Sequence, residues 1–177
     1  MIAGHRRLVA ALLALALAVA VGACSAAPAS PAASVAPTVG PATWYSAPTH
    51  SLAIPDALGL SRSGGTDGPL GETSAFFGHN GEELLVQYFG RAGGEAALER
   101  LVSQAKDSKT GADLASEAPL RLPAGQAARM VFQVGGVRAV IFAIASPATS
   151  AVIVVSGIAD DAAIDAIAQS FRFSAAP

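Results

Sequence analysis

The chain has 177 residues, with 11 Lys and Arg against 13 Asp and Glu, a formal charge of −2, and one cysteine. Its basic residues do not cluster, which excludes nucleic acid and electrostatic recruitment to anionic lipid, because both call for a Lys/Arg stripe. A lone cysteine excludes a disulfide framework, so a folded core must stand on apolar burial.

His5, Arg6 and Arg7 make a positive start, and Leu8 to Val21 is an unbroken apolar run, the anatomy of an export signal. The run falls short of the roughly 20 apolar residues that span a bilayer, and a Pro-rich stretch follows it, which argues against a transmembrane anchor. It closes on Val21-Gly22-Ala23-Cys24. This ending resembles the lipobox of bacterial lipoproteins, an aliphatic residue and two small ones before a cysteine. The resemblance implies a signal peptide over residues 1–23, cleavage between Ala23 and Cys24, a diacylglyceryl thioether on Cys24, and a further fatty acid such as palmitate on the new amino group. Val21-Gly22-Ala23 also passes as an ordinary secretory cleavage site. The position of the sole cysteine favours the lipobox, because an acylated sulfur escapes the oxidation that threatens a free thiol outside the cytoplasm. Arg6-Arg7 is followed by Leu-Val-Ala rather than by the fuller twin-arginine pattern. Two or three acyl chains anchor a protein durably where one, at about 0.8 kcal/mol per buried methylene, does not. The expected location is the extracytoplasmic face of the cell membrane.

Residues 24–43 comprise that cysteine and a charge-free stretch of Ala, Pro, Ser, Val and Thr that cannot bury enough surface to offset chain entropy. They read as a tether. Extended as polyproline II it reaches on the order of 60 Å, and as a coil roughly 25 Å. Residues 44–177 are the expected single globular domain, of a common size for one core. Without Arg6 and Arg7 the exported chain carries a formal charge of −4.

Along this domain Ser51 to Ile54 predicts a short strand stopped by Pro55, and the Gly- and Ser-rich stretch from Leu60 to Gly71 predicts a surface loop. Glu72 to His79 and Glu82 to Phe89 predict a hairpin, because Asn80-Gly81 suits a type I′ turn in which both central residues take positive φ. A helix is predicted over about Glu95 to Lys109, with Ala97, Leu98, Leu101, Val102 and Ala105 on one stripe and Gly111 as its stop. Pro119 to Pro123 predicts an extended segment. Three strands follow, Ala127 to Val134, Val137 to Ala145 and Ala151 to Gly157, the second and third apolar at nearly every position and so covered on both faces. Asp160 or Asp161 caps a last helix with Ile164, Ile167, Ala168 and Phe171 on its buried stripe. The expected class is α+β, an antiparallel sheet covered by helices on its faces, in the order β-ββ-α-βββ-α.

The opening Ser51-Leu-Ala-Ile-Pro55 and the closing Ile164-Asp-Ala-Ile-Ala-Gln-Ser-Phe-Arg-Phe173 resemble the two ends of the Mog1/PsbP-like α/β/α family, including the LpqN-type lipoproteins of actinobacteria. The Ala- and Gly-rich usage fits a high-GC source of that kind. The resemblance implies an α/β/α sandwich and a binding role in the cell envelope. It names no activity.

The residues offer little chemistry. Ser103-Gln-Ala-Lys106 and Lys109-Thr-Gly111 match two motifs of penicillin-interacting serine enzymes, yet here both lie on one helix, whereas those enzymes carry the second on a distant strand. His50 and His79 lack paired spacing for a metal or a base. Gly65, Gly68 and Gly71 are followed by no Lys-Ser/Thr and open a strand, which disfavours a phosphate cradle. Asp160, Asp161 and Asp165 suggest calcium less than a helix N-terminus. No catalytic residue, cofactor or metal ligand is expected. The function read from the sequence is a membrane-anchored, non-catalytic envelope domain whose partners are the membrane, through its lipid, and a protein or small envelope component. The alternatives are a carrier of lipid or another apolar ligand, which needs a large cavity between sheet and helix, and an envelope enzyme whose site assembles only in three dimensions. The second would bring His50 or His79 within reach of a carboxylate or serine.

Overall fold

The computed structural model describes residues 40–67, 73–90, 92–108 and 112–174. Its elements in chain order are β1 (Ala42–Ser46), β2 (His50–Pro55), a 3-10 turn (Asp56–Leu58), β3 (Ser61–Asp67), β4 (Thr73–His79), β5 (Glu82–Phe89), α1 (Gly94–Asp107), β6 (Ala112–Leu122), β7 (Gly125–Val134), β8 (Val137–Ala145), β9 (Ser150–Ser156), α2 (Asp161–Ser170) and β10 (Arg172–Phe173). They form two antiparallel sheets. The larger runs β3-β4-β5-β9-β8-β7-β6 and the smaller β1-β2-β10.

This corrects the expected architecture. Of the described residues strands make up 57 % and helices 22 %, so the fold is β-rich rather than a sheet whose faces are covered by helices. The expected order β-ββ-α-βββ-α lacks four of the strands present, and the α/β/α sandwich implied by the family resemblance is withdrawn with it. Side-chain exposure explains the omissions. Residues 61–66 of β3 are exposed, as are most of β1 and β6, so these edge strands carry no apolar alternation to read. Gly64 and Gly65, which suggest a loop, sit instead beside a bulge in the β3–β4 ladder, and Pro119 sits on the edge strand β6, where the missing N–H costs no ladder bond. The predicted surface loop from Leu60 is therefore a strand over Ser61–Asp67, while residues 68–72 lie outside the described ones.

Elsewhere the local chemistry and the structure agree. Asn80 and Gly81 have φ of 47° and 89°, both positive, as a type I′ turn between β4 and β5 requires. Helix α1 runs Gly94–Asp107, one residue earlier at its start than predicted, and Lys109 and Gly111 lie outside the described residues. The Asp160 carboxylate accepts from the N–H groups of Ala162 and Ala163 at 2.9 and 3.2 Å, so of the two candidate caps it is Asp160 that serves.

β8 and β9 are central and apolar on both sides, and each face of the large sheet has its own core. On one face Leu84, Phe142 and Ile153 meet Leu52 and Ile54 of the small sheet and Ile164, Ile167 and Phe171 from the end of the chain. On the other, Leu85, Met130, Phe132 and Ile141 meet Leu101 of α1. Burying each such side chain contributes about 1.5–3 kcal/mol. Ser170 at the end of α2 ties the helix to the small sheet, its Oγ accepting from the Ala53 N–H at 2.8 Å.

Candidate functional site

The small sheet and the outer strands of the large one meet around the 3-10 turn. Gly59 ends that turn at φ 60°, and a Cβ there would stand 3.3 Å from the His79 imidazole, so the turn conformation and the close approach both call for glycine. On one side of the turn a hollow of about 410 Å³ is lined by Asp56, His79, Asn80 and Glu82 among others. On its other side a groove of about 450 Å³ runs between β1 and β3, lined by Trp44, Tyr45, Ile54, Leu60, Arg62 and Phe77 among others.

The groove has an aromatic floor. Tyr45 and Phe77 pack edge to face with centroids 5.0 Å apart, and the Arg62 guanidinium carbon lies 5.6 Å from the Tyr45 ring centroid, a cation–π arrangement at the rim. Arg62 also donates through Nε to the Gly64 carbonyl at 3.4 Å, and among the described residues it forms no ion pair. Asp56 is held by the Thr43 hydroxyl at 2.7 Å. Trp44 stands on the outer side of β1 and is 62 % exposed, the most exposed of the large apolar residues described.

The two histidines go to different environments. His50 is fully buried among Tyr45, Tyr88 and Phe171, with Nδ1 3.0 Å from the Thr49 hydroxyl, which in turn lies 3.1 Å from that of Thr73. Desolvation lowers its pKa from 6.5 to about 4, so the ring is neutral at physiological pH. His79 is exposed and its Nε2 lies 2.8 Å from Asn80 Nδ2. It shares the hollow with Asp56 and Glu82, but the hydrogen bond it makes is to an amide.

The other sequence candidates are occupied structurally. Ser103 donates to Asp107 at 3.1 Å and Lys106 pairs with Glu117 at 2.6 Å, so the two residues of that serine-enzyme motif are directed at different partners. Asp161 is bonded by both Arg129 and Arg138, the latter at 2.5 Å, and Asp165 by Arg129 at 3.0 Å. The hydrogen bond from Arg138 is the main cause that holds the Asp161 carboxyl below its usual range. These carboxylates are thus answered by guanidinium groups, and among the described residues no acidic or histidine cluster has the geometry of a metal site. Sequence reading missed Arg129 and Arg138, although a charge inside the apolar strands β7 and β8 is itself a signal of a partner on the covering layer. It missed Arg62 and Tyr45 with no comparable cue. Val21, Gly22, Ala23 and Cys24, the lipobox residues, lie outside the described residues, as do Gly68 and Gly71.

A scan against protein-family models finds no match to this chain, and a search of curated proteins finds none either.

Proposed function

We propose that this chain is a lipid-anchored protein of the cell envelope, held at the extracytoplasmic face of the membrane through Cys24, and that its β-rich domain acts by binding a protein or a small envelope component. The observation that carries the reading is in the sequence: the only cysteine follows Val21-Gly22-Ala23 directly behind a basic start and an unbroken apolar run. A diacylglyceryl group anchors durably, and the Ala/Pro/Ser stretch after it has the composition of a spacer.

Binding is favoured over catalysis by the partners of the histidines, since His50 meets a threonine inside an aromatic cluster and His79 meets an asparagine. An apolar carrier has less support, because Phe142, Phe171, Ile164 and Ile167 fill the space between the large sheet and α2. The test is Cys24→Ala in the native envelope. The wild-type chain should partition with membranes and carry the mass of a lipidated N-terminal cysteine, and the variant should remain as uncleaved precursor or appear as released protein. Unchanged partition and unchanged mass would refute the anchor.

A further inference from the structure

Strand β1 has one partner among the described residues, β2, and its opposite edge faces the groove. In an antiparallel ladder alternate residues turn their N–H and C=O toward the partner and the others turn them away. Here the bonded pairs are fixed by the ends of the ladder: Asp56 N–H donates to the Pro41 carbonyl at 3.0 Å, and Ala47 N–H donates to the His50 carbonyl at 2.8 Å. With Pro41 and Ala47 bonded, the register makes Thr43 and Tyr45 the inward pairs and leaves Ala42, Trp44 and Ser46 turned outward, with Trp44 at the middle of the strand. Its opposite number Ala53 agrees, because Ala53 sends its N–H to Ser170 on the far side of β2.

Trp44 therefore offers a backbone donor and acceptor to the groove edge, beside an apolar floor and a single cation. An open strand edge of this kind is a template for another strand. We infer that β1 docks an extended segment of a partner protein, which adds as a fourth strand to the small sheet, bonds to the Trp44 N–H and C=O, sets an apolar side chain against Tyr45 and Phe77, and places an acidic group at Arg62. Charge complementarity chooses the acidic segment. Among the described residues Arg62 forms no ion pair at the rim, whereas the groove's own carboxylate, Asp56, is engaged by Thr43. Main-chain bonds supply affinity in this mode, and the pocket for alternate side chains supplies selectivity. This inference rests on the binding half of the proposed function and is independent of the lipid.

The probe is a phage-displayed library of random decapeptides panned against the full chain in detergent micelles. The expected result is enrichment of peptides that alternate, with an apolar residue two positions from Asp or Glu. N-methylation along such a peptide should weaken binding with period two, by about tenfold at each residue whose N–H faces β1 and little at the residues between. The Trp44 amide should gain protection from hydrogen exchange when the peptide is bound. Trp44→Pro, which removes the outward N–H together with the indole, should lower affinity by about tenfold, while Trp44→Ala, which removes the indole alone, should retain most of it, and Arg62→Glu should turn the enriched pool from acidic to basic. Failure to enrich any sequence, N-methyl effects without alternation, or an unchanged Trp44 amide would each overturn the inference. So would Trp44 protection without peptide, whether constant, as when another part of the chain covers β1, or rising with concentration, as when a second copy does. Peptide binding that survives in Cys24→Ala separates this result from failure of the anchor.

Discussion

His50 and Phe171 lie ring over ring, their centroids 5.7 Å apart and their planes 28° from parallel. The imidazole comes from the first residue of β2 and the phenyl from the residue that follows α2, so this contact joins the middle strand of the small sheet to the end of that helix. Phe173 meets Phe171 edge to face at 5.1 Å and pairs with His50 in the ladder, which closes the cluster.

The first prediction follows from burying a neutral histidine there. The folded pKa is about 4 against 6.5 for the free group, so the unfolded chain binds the proton first. Stability is fully present above pH 6.5 and is lost as pH falls from 6.5 through 4, by about 3 kcal/mol in all. Denaturant unfolding at several pH values should show this loss, and His50→Phe should flatten it in that window. Equal pH slopes for the two proteins would contradict the assignment.

Phe171 is fully buried in the same cluster. Phe171→Ala should cost about 3–5 kcal/mol and lower the melting temperature by many degrees. Asp165→Ala, one and a half turns earlier on α2, removes only a partly exposed pair with Arg129 and should cost no more than about 1 kcal/mol. Thermal scans of the two variants should differ clearly.

At the start of α2 two neighbouring aspartates have separate tasks. Asp160→Ala removes the cap from two backbone N–H groups and should cost about 1 kcal/mol at any ionic strength. Asp161→Ala leaves Arg129 and Arg138 facing each other without their shared carboxylate, and its effect should shrink as salt is added. The Asp161 contribution is present above its ordinary pKa of 3.8 and fades as pH falls below it, because the folded value is depressed. Salt titrations of unfolding distinguish the two.

In the β4–β5 turn Gly81 has φ of 89°. Gly81→Val places a branched side chain in the left-handed region and should destabilise by about 1–2 kcal/mol, whereas Asn80→Gly should be close to neutral. Chemical denaturation of both variants gives the comparison directly.

The residues by themselves determine the parts whose neighbours are near in sequence or whose pattern is set by burial. Asn80-Gly81 dictates its turn, Asp160 its cap, and the continuous apolar runs of β8 and β9 state that both faces are covered. The lipid address proposed for Cys24 is likewise a reading of adjacent residues alone. Tertiary structure alone decides what does the covering. Ser61 to Asp67 and Ala112 to Leu122 become strands because β4 and β7 offer them an edge, and the exposed side chains of residues 61–66 and 113–119 leave no periodicity to announce it. Leu52 and Ile54 alternate as any half-buried strand would, and nothing local tells them to build a second sheet with β1 and β10 instead of joining the first. The groove follows the same rule: Arg62 meets Tyr45, and the Trp44 edge has no partner among the described residues, only because β1 joins one sheet and β3 the other. Long-range pairing has no signature in a local window, since its free energy appears only when the partner surface is already there.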